Sequence, residues 1–150
     1  MSRTTQLCTF YVEGLRLGVE VEKVQEVIRY QEMTPVPLAP PVIGGLINLR
    51  GQIVTAVDLR TRLGLTRRAE SETPINVVVR TDDGAVSLLV DEIGDVVDVD
   101  ELAFEPAPDT LTEDARALIS GVYKLEHRLL SLLDTDHAVT SAFLQGAENN

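Results

Sequence analysis

Residues able to make or break bonds are few in this chain and poorly spaced for doing so. Cys8 is the single cysteine. It falls on the side expected to be the apolar face of the first strand, where a thiol behaves as a small buried hydrophobe and not as a nucleophile. His127 and His137 each lack a second histidine or cysteine close by for a metal cage. The first is expected at a hairpin tip and the second in the last short helix, both at the surface. Asp134-Thr135-Asp136 and the acidic stretch from Asp91 to Glu101 supply oxygens. Neither has the Asp-x-Asp-x-Asp-Gly spacing and twelfth-position glutamate of a calcium loop, so both are expected to be solvated. Phosphate-cradling Gly-x-x-x-x-Gly-Lys-Ser/Thr, dinucleotide-binding Gly-x-Gly-x-x-Gly and nucleophile-elbow Gly-x-Ser-x-Gly patterns do not occur. The expectation is a protein that is not an enzyme and uses no metal and no cofactor.

The elements that must position any functional side chain follow from composition and patterning. Of the 150 residues, 44% are hydrophobic and 25% charged, which is ordinary for a folded chain and sufficient for one core or two small ones. Met1 to Phe10 contains no apolar stretch of the kind a signal or membrane span requires, and one cysteine agrees with a reducing compartment. A cytoplasmic protein without membrane insertion is expected. The net charge of −11 and only six aromatic residues oppose nucleic-acid binding. Charge is also lopsided: residues 1–70 hold nine basic and seven acidic side chains, a balance of +2, whereas 71–150 hold four and 17, a balance of −13. Such polarity is expected to orient partners electrostatically.

Alternating apolar residues predict that strands dominate, with Cys8, Phe10 and Val12 facing one way and Thr9, Tyr11 and Glu13 the other. Glu13-Gly14 and Asp82-Asp83-Gly84 read as hairpin turns. Short helices are expected from Asp58 and Asp134, each a capping aspartate, and from Thr110 to Ile119, where Thr110 and Glu113 have capping-box spacing. Thr66 to Pro74 has almost nothing apolar to bury and reads as a surface connection. Thr34 to Pro41 (Thr-Pro-Val-Pro-Leu-Ala-Pro-Pro) reads as a rigid crossover between hairpins.

The two sides of that connection are related. Val21 to Ile28 matches Val90 to Val97 at a constant offset of 69, apolar on apolar and acid on acid. Gly45 to Asp58 matches Gly121 to Asp134 at an offset of 76, and both stretches end in a capping aspartate. Each copy reads as hairpin, helical turn, strand, long loop, hairpin and short helix. About five strands per copy suit a small closed barrel. The expected fold is all-β: two five-stranded barrel subdomains with short helices, related by a pseudo-symmetric internal repeat. A single domain over 7–145 is expected, with subdomains near 14–68 and 74–140, an N-terminal strand free to cross between them, and a tail at 146–150.

Val24-Gln25-Glu26-Val27, then Pro35-Val36-Pro37, then Ile43-Gly44-Gly45-Leu46-Ile47-Asn48-Leu49-Arg50-Gly51-Gln52-Ile53-Val54 running into Val57-Asp58-Leu59, resembles the CheW family of bacterial chemotaxis coupling proteins. The likeness covers roughly residues 7–140 in order, and departs from the family at Ala56, where proline is usual, and in the acidity of the second half. It implies two SH3-like barrels intertwined at their edges and a noncatalytic scaffold at membrane chemoreceptor arrays. Its implied partners are the cytoplasmic tips of chemoreceptors and the regulatory domain of the histidine kinase CheA. By the same resemblance Val24, Gly45, Arg50 and Gly51 belong to the receptor-binding groove, and Glu26 and Val27 to the surface offered to the kinase. Gly51 has a structural alternative as turn, Val24 as core and Glu26 as solvated edge. Arg50 has less of one, because a turn does not need arginine and a guanidinium fork binds carbonyl and carboxylate oxygens. The chain ends soon after Phe143 and is expected to be a lone coupling module. The alternatives are a similar module in another kinase-linked motility pathway, such as gliding or twitching, and a small-molecule sensor using the cleft between barrels.

Overall fold

The computed structural model describes residues 3–69, 72–82, 84–125 and 128–136. His127 and His137 therefore lie outside the described residues. Eleven strands are described: β1 (Thr4–Val12), β2 (Leu15–Glu20), β3 (Val24–Ile28), β4 (Ile43–Leu49), β5 (Gln52–Asp58), β6 (Ile75–Thr81), β7 (Gly84–Val90), β8 (Glu92–Asp100), β9 (Phe104–Glu105), β10 (Ile119–Leu125) and β11 (Arg128–Leu133). Two short helices, α1 (Leu59–Arg62) and α2 (Glu113–Leu118), and two 3-10 turns, Val21–Lys23 and Glu101–Ala103, complete the set. The strands form a five-stranded sheet of order β3-β6-β7-β5-β4 and a six-stranded sheet of order β8-β1-β2-β11-β10-β9. The expected all-β class of two SH3-like five-stranded units is what forms, with the two-residue β9 as an added edge.

Strand pairing reproduces the repeat at residue level. Val24 faces Val79 and Val27 faces Val77 in one sheet; Ile93 faces Phe10 and Val96 faces Cys8 in the other, each pair displaced by the offset of 69. A bulge interrupts the ladder at equivalent places, between Val24 and Glu26 on β3 and between Ile93 and Val96 on β8. The hairpin Gly45↔Ala56 matches Gly121↔Leu132 at the offset of 76. Parallel pairs then join one hairpin of each copy to the other copy: β5 with β7 (Thr55↔Val86) and β11 with β2 (Ser131↔Leu17).

The copies have therefore exchanged hairpins. β1 and β2 sit in the sheet of β8 to β11, while β6 and β7 sit in the sheet of β3 to β5. The strands do not divide at Thr66–Pro74, as a boundary between 14–68 and 74–140 would have them do; one sheet spans 24–90 and the other combines 4–20 with 92–133. The core records the exchange. A large cluster joins Phe10, Val12, Leu17 and Val19 of one sheet to Val57, Val77, Val79, Leu88 and Val90 of the other. Two small cores remain private: Leu7, Val99, Tyr123 and Leu130 in the six-stranded sheet, and Ile47, Leu49, Val54 and Val78 in the five-stranded one.

Two local expectations are corrected. Cys8 is half-buried and outside the core clusters, whereas Leu7, Thr9 and Phe10 are buried. The alternation of β1 runs unbroken, the extra residue of the bulge lying on β8, and its two faces give Leu7 to a private core and Phe10 and Val12 to the shared one. Burial pushes the Cys8 thiol pKa up. Helix α2 is capped by Thr112, whose hydroxyl accepts from Ala115 N–H at 3.2 Å, and not by Thr110. The prolines at 106 and 108 favour an extended chain before it. The expected hairpin between β6 and β7 forms, Thr81 pairing with Gly84, which opens β7 with φ +107°. The Asp58 cap is as expected, its carboxylate accepting from Arg60 N–H at 3.0 Å.

Candidate functional site

The β4–β5 hairpin closes through a two-residue turn. Leu49 pairs with Gln52, leaving Arg50 and Gly51 with φ of 54° and 86°, the signs a type I′ turn demands at both central positions. Asn48 Oδ1 accepts from Gly51 N–H at 3.0 Å and fixes the turn. An arginine in left-handed backbone costs roughly 1–2 kcal/mol relative to glycine, and the turn itself gains nothing from it. Its side chain is 78% exposed and its Nη1 donates to Glu26 Oε2 at 2.8 Å.

Glu26 stands on β3, at the opposite edge of the five-stranded sheet from β4. The ion pair therefore spans the seam between the two edge strands. The Glu26 side chain is only 17% exposed, and its Oε1 is buried without a hydrogen-bond partner. Next to it Val27 is 43% exposed, and Ile53, just beyond the turn, is 62% exposed. One end of this sheet thus presents a cation, a carboxylate with spare acceptor capacity and two apolar side chains.

Val24 and Gly45 contribute from behind. Val24 is half-buried and packs on the shared core. Gly45 is buried with φ +150°, and a Cβ there would meet Thr34 O at 2.9 Å and Met33 Cβ at 3.0 Å. That close approach lets Thr34 and Leu46 exchange backbone hydrogen bonds of 2.8 and 2.9 Å, which hold the proline-rich crossover against β4. Of the six expected site residues, Glu26, Val27, Arg50 and Gly51 share one end of the sheet. The groups expected to face receptor and kinase meet there, joined by the Arg50–Glu26 ion pair.

A second polar cluster escaped the sequence reading. Asp91, where the chain passes from β7 to β8, accepts from Arg60 (2.8 to 3.1 Å), from Arg68 (2.9 and 3.2 Å) and from Glu13 N–H at 2.6 Å. Its own N–H donates to Tyr11 O at 2.9 Å. Burial pushes the Asp91 carboxyl pKa up, but the donors of Arg60, Glu13 and Arg68 outweigh it and hold the value below the ordinary one. The same hydrogen bonds raise Arg60. Arg68 is only 8% exposed, so the connection after α1 is pinned at this residue. The available signal was the offset of 69, which sets acidic Asp91 opposite acidic Glu22.

Among the described residues no cluster of histidine, cysteine, aspartate or glutamate could hold a metal ion, and no helix is long and apolar enough to cross a membrane. Three surface cavities of about 460, 380 and 330 Å³ are lined by residues other than Arg50 and Glu26.

Comparison with known proteins agrees with this architecture. The CheW-like domain model matches residues 6–143. The chain is similar to chemotaxis protein CheW of Bacillus subtilis, 32% identical over 142 residues, covering 95% of this chain and 91% of that one. Similarity to chemotaxis protein CheW of Rhizobium meliloti is 30% over 136 residues, covering 91% and 88%. The crystal structure of the scaffolding protein TtCheW from Thermoanaerobacter tengcongensis superposes with a TM-score of 0.82 at 26% identity, covering 91% of this chain and 92% of that one. The exchanged hairpins, the Asn-Leu-Arg-Gly turn and these matches lead to one conclusion: the chain belongs to the CheW family of chemotaxis scaffold proteins.

Proposed function

We propose that this chain acts as a noncatalytic adaptor coupling the cytoplasmic tips of chemoreceptors to the regulatory domain of the kinase CheA, with residues 7–145 working as one module. It would sit in the cytoplasm at membrane receptor arrays without inserting. The observation that carries the reading is Arg50: an exposed guanidinium on a turn that would be less strained without it, tied to Glu26 on the opposite edge strand. A partner that takes Arg50 must compete with Glu26, so occupancy at one surface changes the charge presented at the other. Because the units share a core, both surfaces ride on one body and the coupling needs no hinge.

The test is reconstitution with receptor fragments and kinase. Arg50→Ala should leave the fold within about 0.5 kcal/mol of wild type, as surface substitutions do, and abolish receptor-dependent kinase activation. Glu26→Lys should chiefly weaken direct binding to the kinase regulatory domain. Normal activation by the Arg50 variant, or a large loss of stability, would remove Arg50 from the site.

A further inference from the structure

The strand that carries Glu26 and Val27 has little support of its own. β3 is five residues long, lies at the edge of its sheet against β6, and is broken by the bulge between Val24 and Glu26, where Gln25 has no partner on β6. A bulge disrupts the ladder, and weakly paired edges open locally. Yet Glu26 is held with its side chain 17% exposed and 2.8 Å from Arg50, which arrives on a different strand. A ladder interrupted beside the residue it must aim needs a further tie.

Arg80 on β6 supplies one. Its Nη1 donates to the carbonyl of Glu22 at 3.2 Å and to that of Val24 at 3.4 Å. The first belongs to the 3-10 turn that leads into β3, and the second lies just before the bulge. One nitrogen with two hydrogens thus bridges the carbonyls on either side of Lys23. Arg80 makes no ion pair among the described residues, so its guanidinium is spent on backbone. These bonds are exposed, which makes the tie local in effect and small in overall stability.

The other copy ties its bulge with different atoms. On β8, Gly94 and Asp95 fall between the pairs Ile93↔Phe10 and Val96↔Cys8, opposite Thr9 alone, and the Thr9 hydroxyl donates to the Asp95 carbonyl. At the offset of 69 Thr9 corresponds to Val78, whose side chain has no donor, and Tyr11 corresponds to Arg80. The tie on β6 has therefore moved two residues along and reaches back over the turn. Both bulges are crossed by a side chain of the facing strand, so the tie goes with the bulge and not with one surface arginine.

We propose that Arg80 is a positioning residue, which sets the β3 bulge by holding Glu22 and Val24 and so fixes where Glu26 is presented. It touches no partner itself. The consequence for kinase binding rests on the assignment of Glu26 made above, whereas the consequence for the bulge does not.

The experiment compares wild type with Arg80→Ala by amide hydrogen exchange and by titration of the kinase regulatory domain, alone and on a Glu26→Gln background. Arg80→Ala should speed exchange across residues 24–28 roughly tenfold, leave β5 and β7 at wild-type rates, and hardly move the thermal midpoint. Affinity for the kinase domain should fall several-fold, and the loss should shrink on the Glu26→Gln background, because Arg80 acts through Glu26. A long-range effect of the lost charge, or a direct contact by Arg80, would instead add to the Glu26 loss and overturn the positioning role. Unchanged exchange at 24–28, or exchange raised equally throughout the sheet, would overturn it as well. If Glu26→Gln alone leaves affinity unchanged, the kinase assignment of Glu26 falls, and the exchange rates decide the role of Arg80 by themselves.

Discussion

Replacing Asp91 by asparagine isolates the clamp that joins the two sheets. The side chains of Asp91, Arg60 and Arg68 are 16%, 12% and 8% exposed, so solvent screens the cluster little. Asparagine keeps the shape and an acceptor for Glu13 N–H, but leaves two nearly buried guanidiniums facing a neutral amide. Breaking a buried pair costs roughly 3–5 kcal/mol. Here the arginines keep weaker partners, Glu72 at 3.6 Å for Arg60 and Asp58 at 3.5 Å for Arg68. The expected loss is therefore about 2–3 kcal/mol, or roughly 4–12 °C in thermal midpoint for a domain of this size. Acid should erase the difference. The folded pKa of Asp91 lies below its ordinary value. Its stabilisation is then complete above the ordinary carboxylate range and disappears as pH falls through the folded value, below about pH 4. Urea unfolding followed by circular dichroism suits a chain without tryptophan. A loss under about 1 kcal/mol at neutral pH, or one unchanged on acidification, would refute the clamp.

Other outcomes follow from the same contacts. Arg50→Asn supplies the residue that type I′ turns favour, so its thermal midpoint should equal or exceed wild type while receptor-dependent kinase activation is lost. Gly45→Ala must displace Thr34 from β4 and strain a backbone at φ +150°, costing roughly 1–3 kcal/mol in denaturant unfolding; a neutral result would mean the crossover is not seated there. Ser87→Ala removes the donor to Asn76 Oδ1 (2.8 Å) between two buried residues and should cost about 1–3 kcal/mol, with Asn76→Val on the same background recovering part of it.

How much of this was legible in the sequence depended on whether the information was local. The strands and both repeat offsets were readable because burial imposes a period of two and equivalent hairpins keep equivalent spacing. The helix at Asp58 was readable because a cap is a contact between near neighbours. The partial exposure of Cys8 was not, because it depends on the edge strand β8, which pairs with β1 from some 85 residues further along the chain. Arg50 and Glu26 were each identifiable, from a turn that did not need arginine and from the family pattern. Their pairing was not, since it requires the two edges of one sheet to approach. The cluster around Asp91 stayed hidden for the same reason: Glu13, Arg60, Arg68 and Asp91 converge from four separate parts of the chain.

The exchange of hairpins governs the order in which the molecule can be built on the ribosome. β1 and β2 emerge first, yet their sheet partners are β8 and β11, the latter ending at Leu133. The five-stranded sheet is complete once Val90 has emerged, so it can form during synthesis while the leading hairpin waits with Phe10, Val12 and Leu17 uncovered. Long-range pairing of this kind is slow, and a waiting hairpin offers apolar surface and open edges to other nascent chains. A circular permutant beginning near Thr66, with the native ends joined, would bring β1 and β2 out after β11 and so beside finished partners. It should fold faster and aggregate less at equal final stability, whereas a delay moved to the β6–β7 hairpin would leave the rate unchanged.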